Sequence, residues 1–271
     1  MNIFEILILQ PIFNALVVLY SLFGDIGLAI IAITLIIRVL LLPLSNKAFR
    51  SQRRLQALQP ELQKLQNKHK DEREVLAREL MAFYKREGVS PASSCVPLLI
   101  QIPFLIALFF VFKDAVTGHY PPLYGFIDDP GHLKTTFLGL IDLANPDKSY
   151  VLPAIASVFQ FVQSRMLLPM QAEGQMAAIN KQMMFIFPII TFVFAATLPA
   201  ALPLYWASTT VFTVLQQYLI MKKMPLAAAK AEGAADWNAA NPADPIDAPK
   251  TKRTTKKPKG GNVTVRKRGK K

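Results

Sequence analysis

The chain has 271 residues, 52% of them hydrophobic, with a mean hydropathy of +0.29 and a formal net charge of +13. The apolar residues come in blocks separated by charged blocks, which excludes an ordinary soluble domain and points to a polytopic membrane protein. A single cysteine, Cys95, excludes an internal disulfide framework and a multi-cysteine metal site.

Residues 1–20 carry Glu5, no lysine or arginine, and no clear small-x-small cleavage site after them, so they read as an uncleaved segment. The run from Pro11 to Tyr20 ends at Gly24-Asp25 and predicts a helix lying along the membrane, making 1–24 an N-terminal interfacial segment. The first span runs over 26–44 and is closed by Pro43. Arg38 lies inside it, about 18 Å from Ile26 at 1.5 Å per residue, past the middle of a roughly 30 Å hydrocarbon layer. A charge at that depth costs several kcal/mol and marks a functional position. Thr34, four residues earlier, shares its helix face.

Residues 46–88 hold eleven Lys/Arg and six Asp/Glu. Leu55, Leu58, Leu62 and Leu65 recur at helical spacing, as do Leu76, Leu80 and Phe83, which predicts two amphipathic helices packed as an antiparallel hairpin. Asp71 and Glu74 have the spacing of a capping box, and Pro60 is expected to kink or delay the first helix. A second span follows at 94–112, containing Pro97, Gln101 and Pro103, and then a loop over 113–148 rich in Pro, Gly and Asp. Further spans are predicted at 150–168, 183–198 and 202–221, the last two joined only by Pro199-Ala200-Ala201. Residues 225–271 read as a disordered tail, Ala/Pro/Asp-rich to 249 and then a polycation, with eleven Lys/Arg and no acid over 250–271. The expected architecture is all-α: five spans forming a core over 25–224, an interfacial helix and a charged hairpin.

Charge orients this bundle. The hairpin carries eleven basic residues and the chain from Lys222 onward fourteen, whereas 114–148 carries Lys134 and Lys148 against five aspartates. The positive-inside rule puts the hairpin and C-terminus in the cytoplasm and the N-terminus and acidic loop outside.

Catalytic patterns are missing from the sequence. His69, His119 and His132 all fall outside the spans, no span holds an acidic residue, and no G-x-x-x-x-G-K-[ST] loop occurs. No enzyme, cofactor or metal is expected. Arg38 therefore has no intramembrane carboxylate in this chain, and it meets either a wet cavity or, by snorkelling, the cytoplasmic surface. Gln101, Gln160, Gln163, Ser164, Thr209, Thr213, Gln216 and Gln217 either line such a cavity or bond helix to helix.

Several motifs in one order carry a family resemblance: Ile36-Ile37-Arg38 with Pro43-Leu44 after it, Leu58-Gln59-Pro60 in the hairpin, and Met81-Ala82-Phe83-Tyr84-Lys85. They continue with Cys95-Val96-Pro97-Leu98-Leu99-Ile100-Gln101-Ile102-Pro103, and with Leu204-Tyr205-Trp206 leading to Gln216-Gln217. Over about residues 10–223 the chain resembles the YidC/Oxa/Alb membrane protein insertases. The resemblance implies a five-helix core with a hydrophilic groove open to cytoplasm and lipid, which admits client segments and releases them sideways without nucleotide hydrolysis. It carries the groove arginine onto Arg38, the groove threonine onto Thr34, the client-contacting aromatics onto Tyr205 and Trp206, and the second-span contact onto Gln101 and Ile102. Ala92-Ser93-Ser94 and Trp206 depart from residues common in the family. Implied partners are nascent membrane proteins, the lipid bilayer, a ribosome held by the basic tail 250–271, and a Sec-type translocon, with a monomer as the working unit. The short form and the absence of a transit peptide suggest a bacterial plasma membrane. Two rivals are an anion or small-solute transporter that binds through Arg38, and an RNA tether working through the tail.

Overall fold

The computed structural model describes residues 5–90, 96–117, 122–131, 133–167 and 175–240 and is predominantly helical. A π-helical turn over Glu5–Leu9 leads into α1 (Gln10–Phe23), and Gly24, at φ 67°, takes the left-handed conformation that ends it. Asp25 then caps α2 (Ile26–Leu40), its Oδ1 accepting from the Gly27 and Leu28 amides at 2.8 and 3.0 Å. The helix breaks at Leu41, and α3 (Leu42–Lys68) leaves at 67° to α2 with Pro43 in its first turn, where a missing N–H costs nothing.

The expected hairpin is α3 against α4 (Arg73–Arg86). Leu55, Leu58, Leu62, Phe83 and Val89 form its buried core, with Leu65, Leu80 and Tyr84 against them. Pro60 lies inside α3 and does not delay its start. One local expectation fails: Glu72 rather than Asp71 occupies the N-cap of α4, with no side-chain cap, so the capping box is not formed.

The remaining apolar helices are α5 (Val96–Thr117), α6 (Val151–Leu167), α7 (Gln175–Thr197) and α8 (Ala201–Lys223). They fall on the four expected later spans, with α5 and α7 starting or running beyond the predicted limits. α6 packs along both α7 and α8, and α2 packs along α1 and α8. Phe13, Leu16, Ile30 and Leu108 are fully buried in the main core, which joins α1, α2, α5 and the start of α8.

Three features go beyond the expectation. Glu5–Phe23 is one continuous apolar helical stretch of 19 residues with mean hydropathy 2.1, longer than the run predicted over 11–20. The 113–148 segment contains an antiparallel pair, β1 (Thr136–Phe137) with β2 (Ile141–Asp142), and a Cβ at Gly27 would strike the Phe137 ring, so the hairpin seats directly on α2. Finally, 226–240 is helix α9 (Leu226–Ala240), which corrects the expectation of a disordered tail from 225 onward. Eight of its fifteen residues are alanine, the strongest helix former, and ion pairs fasten it to α3. The polycation at 250–271 and Cys95 lie outside the described residues.

Candidate functional site: an arginine tied to two neighbouring helices

Arg38 sits in the last turn of α2, half-buried, on a helix whose other residues around it are apolar. Its Nη2 donates to Gln101 Oε1 on α5 at 2.5 Å. The Gln101 amide nitrogen in turn donates to the Tyr205 hydroxyl on α8. Three helices are thus joined through one cation and two neutral groups, and among the described residues no carboxylate pairs with the arginine. A guanidinium presents five N–H donors and the recorded bond uses one of them, so the cluster has donors left for an anionic visitor.

Lipophilic surface flanks this polar knot. Leu35, Ile36, Val39 and Leu40 of α2 are exposed, Leu40 at 72%, and Ile102 and Ile106 of α5 are each 42% exposed. An apolar helix laid beside Arg38 would meet side chains of its own kind on both sides.

The other predicted residues separate into different environments. Thr34 is buried and its hydroxyl donates to Ile30 O at 2.6 Å, so it satisfies its own helix instead of facing Arg38. Thr213 does the same with Thr209 O at 2.8 Å, and Thr209 is buried one turn from Tyr205. Gln216 donates to Ser45 Oγ and Asn46 Oδ1, both at 2.8 Å, locking α8 to the start of α3 well away from Arg38. Gln160 and Gln163 are half-buried on α6, and among the described residues no hydrogen bond joins them to the arginine cluster. Tyr205 is buried whereas Trp206 is half-buried, because successive helical residues point about 100° apart; the expected aromatic pair is split.

Sequence reasoning passed over Asn14 and Asp25. Asn14 Oδ1 accepts from the Tyr124 amide and its Nδ2 donates to Pro122 O, while Asp25 Oδ2 accepts from the Leu138 amide. A polar residue in an apolar run was the signal that flagged Arg38, and it was equally present at Asn14.

The motifs and this helix arrangement have counterparts among known proteins. The family model described as 60Kd inner membrane protein matches residues 18–228. A protein of Fusobacterium nucleatum named membrane protein insertase YidC is 34% identical over 200 residues, covering 74% of this chain and 88% of that protein. The chain belongs to this family, the YidC/Oxa/Alb membrane protein insertases. A Pelagibacter ubique YidC is 35% identical over 231 residues, 82% of this chain and 40% of that protein. The chain therefore spans about two fifths of the length of some of the YidC relatives it matches. Among solved structures, one described as an active YidC insertase with the first transmembrane domain resolved superposes with a TM-score of 0.54 at 25% identity. It covers 80% of this chain and 47% of that one. The helical YidC fold is thus shared, and the Arg38 cluster lies within the matched region.

Proposed function

We propose that the chain works as a membrane protein insertase and chaperone with no catalytic chemistry. The observation that carries this reading is the Arg38–Gln101–Tyr205 chain, a cation held by neutral partners between three helices and bordered by exposed apolar side chains. An acidic group in the outer segment of a client pairs briefly with Arg38, and the client's apolar helix then moves into lipid along Ile102, Trp206 and their neighbours. Burial of the client's apolar surface drives the step, so no nucleotide is needed.

In this reading α2, α5, α6, α7 and α8 are the five spans, with the hairpin and C-terminus cytoplasmic and the 113–148 segment outside a bacterial inner membrane. The helix ending at Phe23 lies along the outer surface. Support comes from its bonds along one loop: Gln10 and Asn14 to Pro122, Asn14 to Tyr124, and Tyr20 to Lys134. A single copy suffices, the polycation at 250–271 holds a translating ribosome, and a Sec-type translocon is a further partner.

The test is insertion of a client with an acidic outer segment into proteoliposomes without nucleotide. Arg38→Ala is expected to slow insertion about tenfold, the worth of one charge-assisted hydrogen bond, and Arg38→Lys to keep part of it. Undiminished insertion by the alanine variant would remove the charge-attraction step.

A further inference from the structure

The β1–β2 hairpin places two leucines at its tip. Its apolar residues divide between two directions. Phe137 and Ile141 pack against the main core and Leu143 is buried within it, whereas Leu138 and Leu140 are 59% and 85% exposed. The turn that carries them is an unfavourable place for a leucine. The Leu140 amide donates to Phe137 O at 2.9 Å, and the two residues between have positive φ, 51° at Leu138 and 70° at Gly139. Asn-Gly and Asp-Gly are the usual occupants of such a turn, because asparagine and aspartate tolerate the left-handed region. A leucine there strains the backbone and adds little to the core, so the fold alone does not account for it.

The position of the tip is set by α2. Asp25 caps that helix with Oδ1, and its Oδ2 accepts from the Leu138 amide at 2.7 Å. The Phe137 ring lies so close over Gly27 that a Cβ there would strike it. The tip is thereby held beside the first turn of α2, the end remote from Arg38. Exposed apolar surface continues on the adjoining helix: Leu22 and Phe23 end α1 just before Asp25, and exposed Val18 lies one turn back from Leu22. No charged residue occurs between Glu5 and Asp25, and both oxygens of Asp25 are engaged by backbone amides. Apolar side chains exposed together at the end of a membrane helix, with no free charge among them, match lipid hydrocarbon better than the polar-rimmed patch of a soluble partner.

We propose that Leu138 and Leu140 insert into the acyl chains of the outer leaflet beside Leu22 and Phe23, and so fix the height of the outer end of α2 in the bilayer. The proposal rests on the membrane-embedded reading above, with the start of α2 on the outer side, but not on the role of Arg38.

The full chain, with Cys95→Ser, is labelled at Leu140→Cys with an environment-sensitive fluorophore and reconstituted alone into phosphatidylcholine vesicles. A second sample carries the label at Ile189→Cys, an exposed position on α7. At both positions, lipids bearing a nitroxide on the acyl chain are expected to quench the label, and iodide present on both sides of the membrane is not. Adding Leu138→Asn, which suits the left-handed turn and removes one inserted side chain, is expected to restore iodide quenching at Leu140→Cys; no change in that variant would overturn the proposal. Iodide quenching at Leu140→Cys beside nitroxide quenching at Ile189→Cys would overturn it and leave the membrane reading intact, whereas iodide quenching at both positions would overturn both. A label at Leu140→Cys that is shielded from iodide yet untouched by acyl-chain nitroxide would also overturn it. So would shielding that disappears on dilution with further lipid, since a protein surface or a second copy would then cover the tip.

Discussion

In the proposed function, Arg38, Gln101 and Tyr205 divide the work of keeping a charge available to a client. A carboxylate in place of Gln101 would satisfy the arginine and close it to visitors; the amide holds its position through a neutral acceptor and is itself held by the Tyr205 hydroxyl. Tyr205→Phe is therefore expected to leave the Gln101 amide donor unpaired and lower stability by about 1 kcal/mol, read as a fall in the melting temperature in detergent. In the segment between α5 and α6, Asp147 gives a pH dependence. Burial pushes its carboxyl up, but bonds from the Ser149 hydroxyl and the Leu152 and Ser149 amides outweigh this and hold it below the usual carboxylate range. With the folded value depressed, its contribution is complete above the ordinary aspartate range and is lost as pH falls through the folded value. Asp147→Asn should flatten the acid limb of stability against pH; an unchanged acid limb would contradict this role. Arg38 was legible because a cation in an apolar run is expensive wherever it folds. Its partners were not, since Gln101, Gln160, Gln163 and Gln216 look alike in one dimension. Only the folded arrangement selects Gln101 for the arginine and turns Gln216 to Ser45.

At the scale of elements, α9 changes the account of the hairpin's surroundings. Lys230 pairs with Glu61, Glu232 with Arg50 and Arg54, and Ala229 is fully buried, so α9 is strapped along α3 at the root of the hairpin. Reversing one charge, Lys230→Glu, should loosen α9 and speed proteolysis between 224 and 241. The double reversal with Glu61→Lys should restore protection, with a coupling below about 1 kcal/mol because the pair is partly exposed. If the double variant is cleaved as fast as the single one, this pair does not hold the strap. The helix escaped the sequence reading because its alanines show no apolar stripe, although alanine is the best helix former and the pairs that dock it lie far away in sequence. The packing of the hairpin, by contrast, was legible: Leu55, Leu58, Leu62, Leu65, Leu80 and Phe83 recur at the helical period and pack together as the period predicts, while Val89 and the N-cap of α4 carried no such signal.

For the molecule as a whole, blockwise hydropathy located every later apolar helix to within a few residues, except the start of α7, because long apolar segments leave few alternatives in a membrane. The β1–β2 pair stayed hidden because two residues per strand are too few to show an alternating pattern, and the contact between Gly27 and Phe137 because it joins residues 110 apart. Since α9 belongs to the folded unit, removing 241–271 should spare the core, lowering ribosome-coupled insertion while short clients still insert; loss of both activities in the proteoliposome assay would favour a tether. The same long-range ties have a consequence in time. Asn14 waits for Tyr124, 110 residues later, and Ser45 for Gln216, 171 residues later. At a synthesis rate of roughly 5–20 residues per second, the base of the hairpin is unlatched for about 10–30 s after it emerges. During that interval Arg38 is already made and α8 is not, so the nascent chain passes through a stage in which it resembles the unfinished membrane proteins it is proposed to assist.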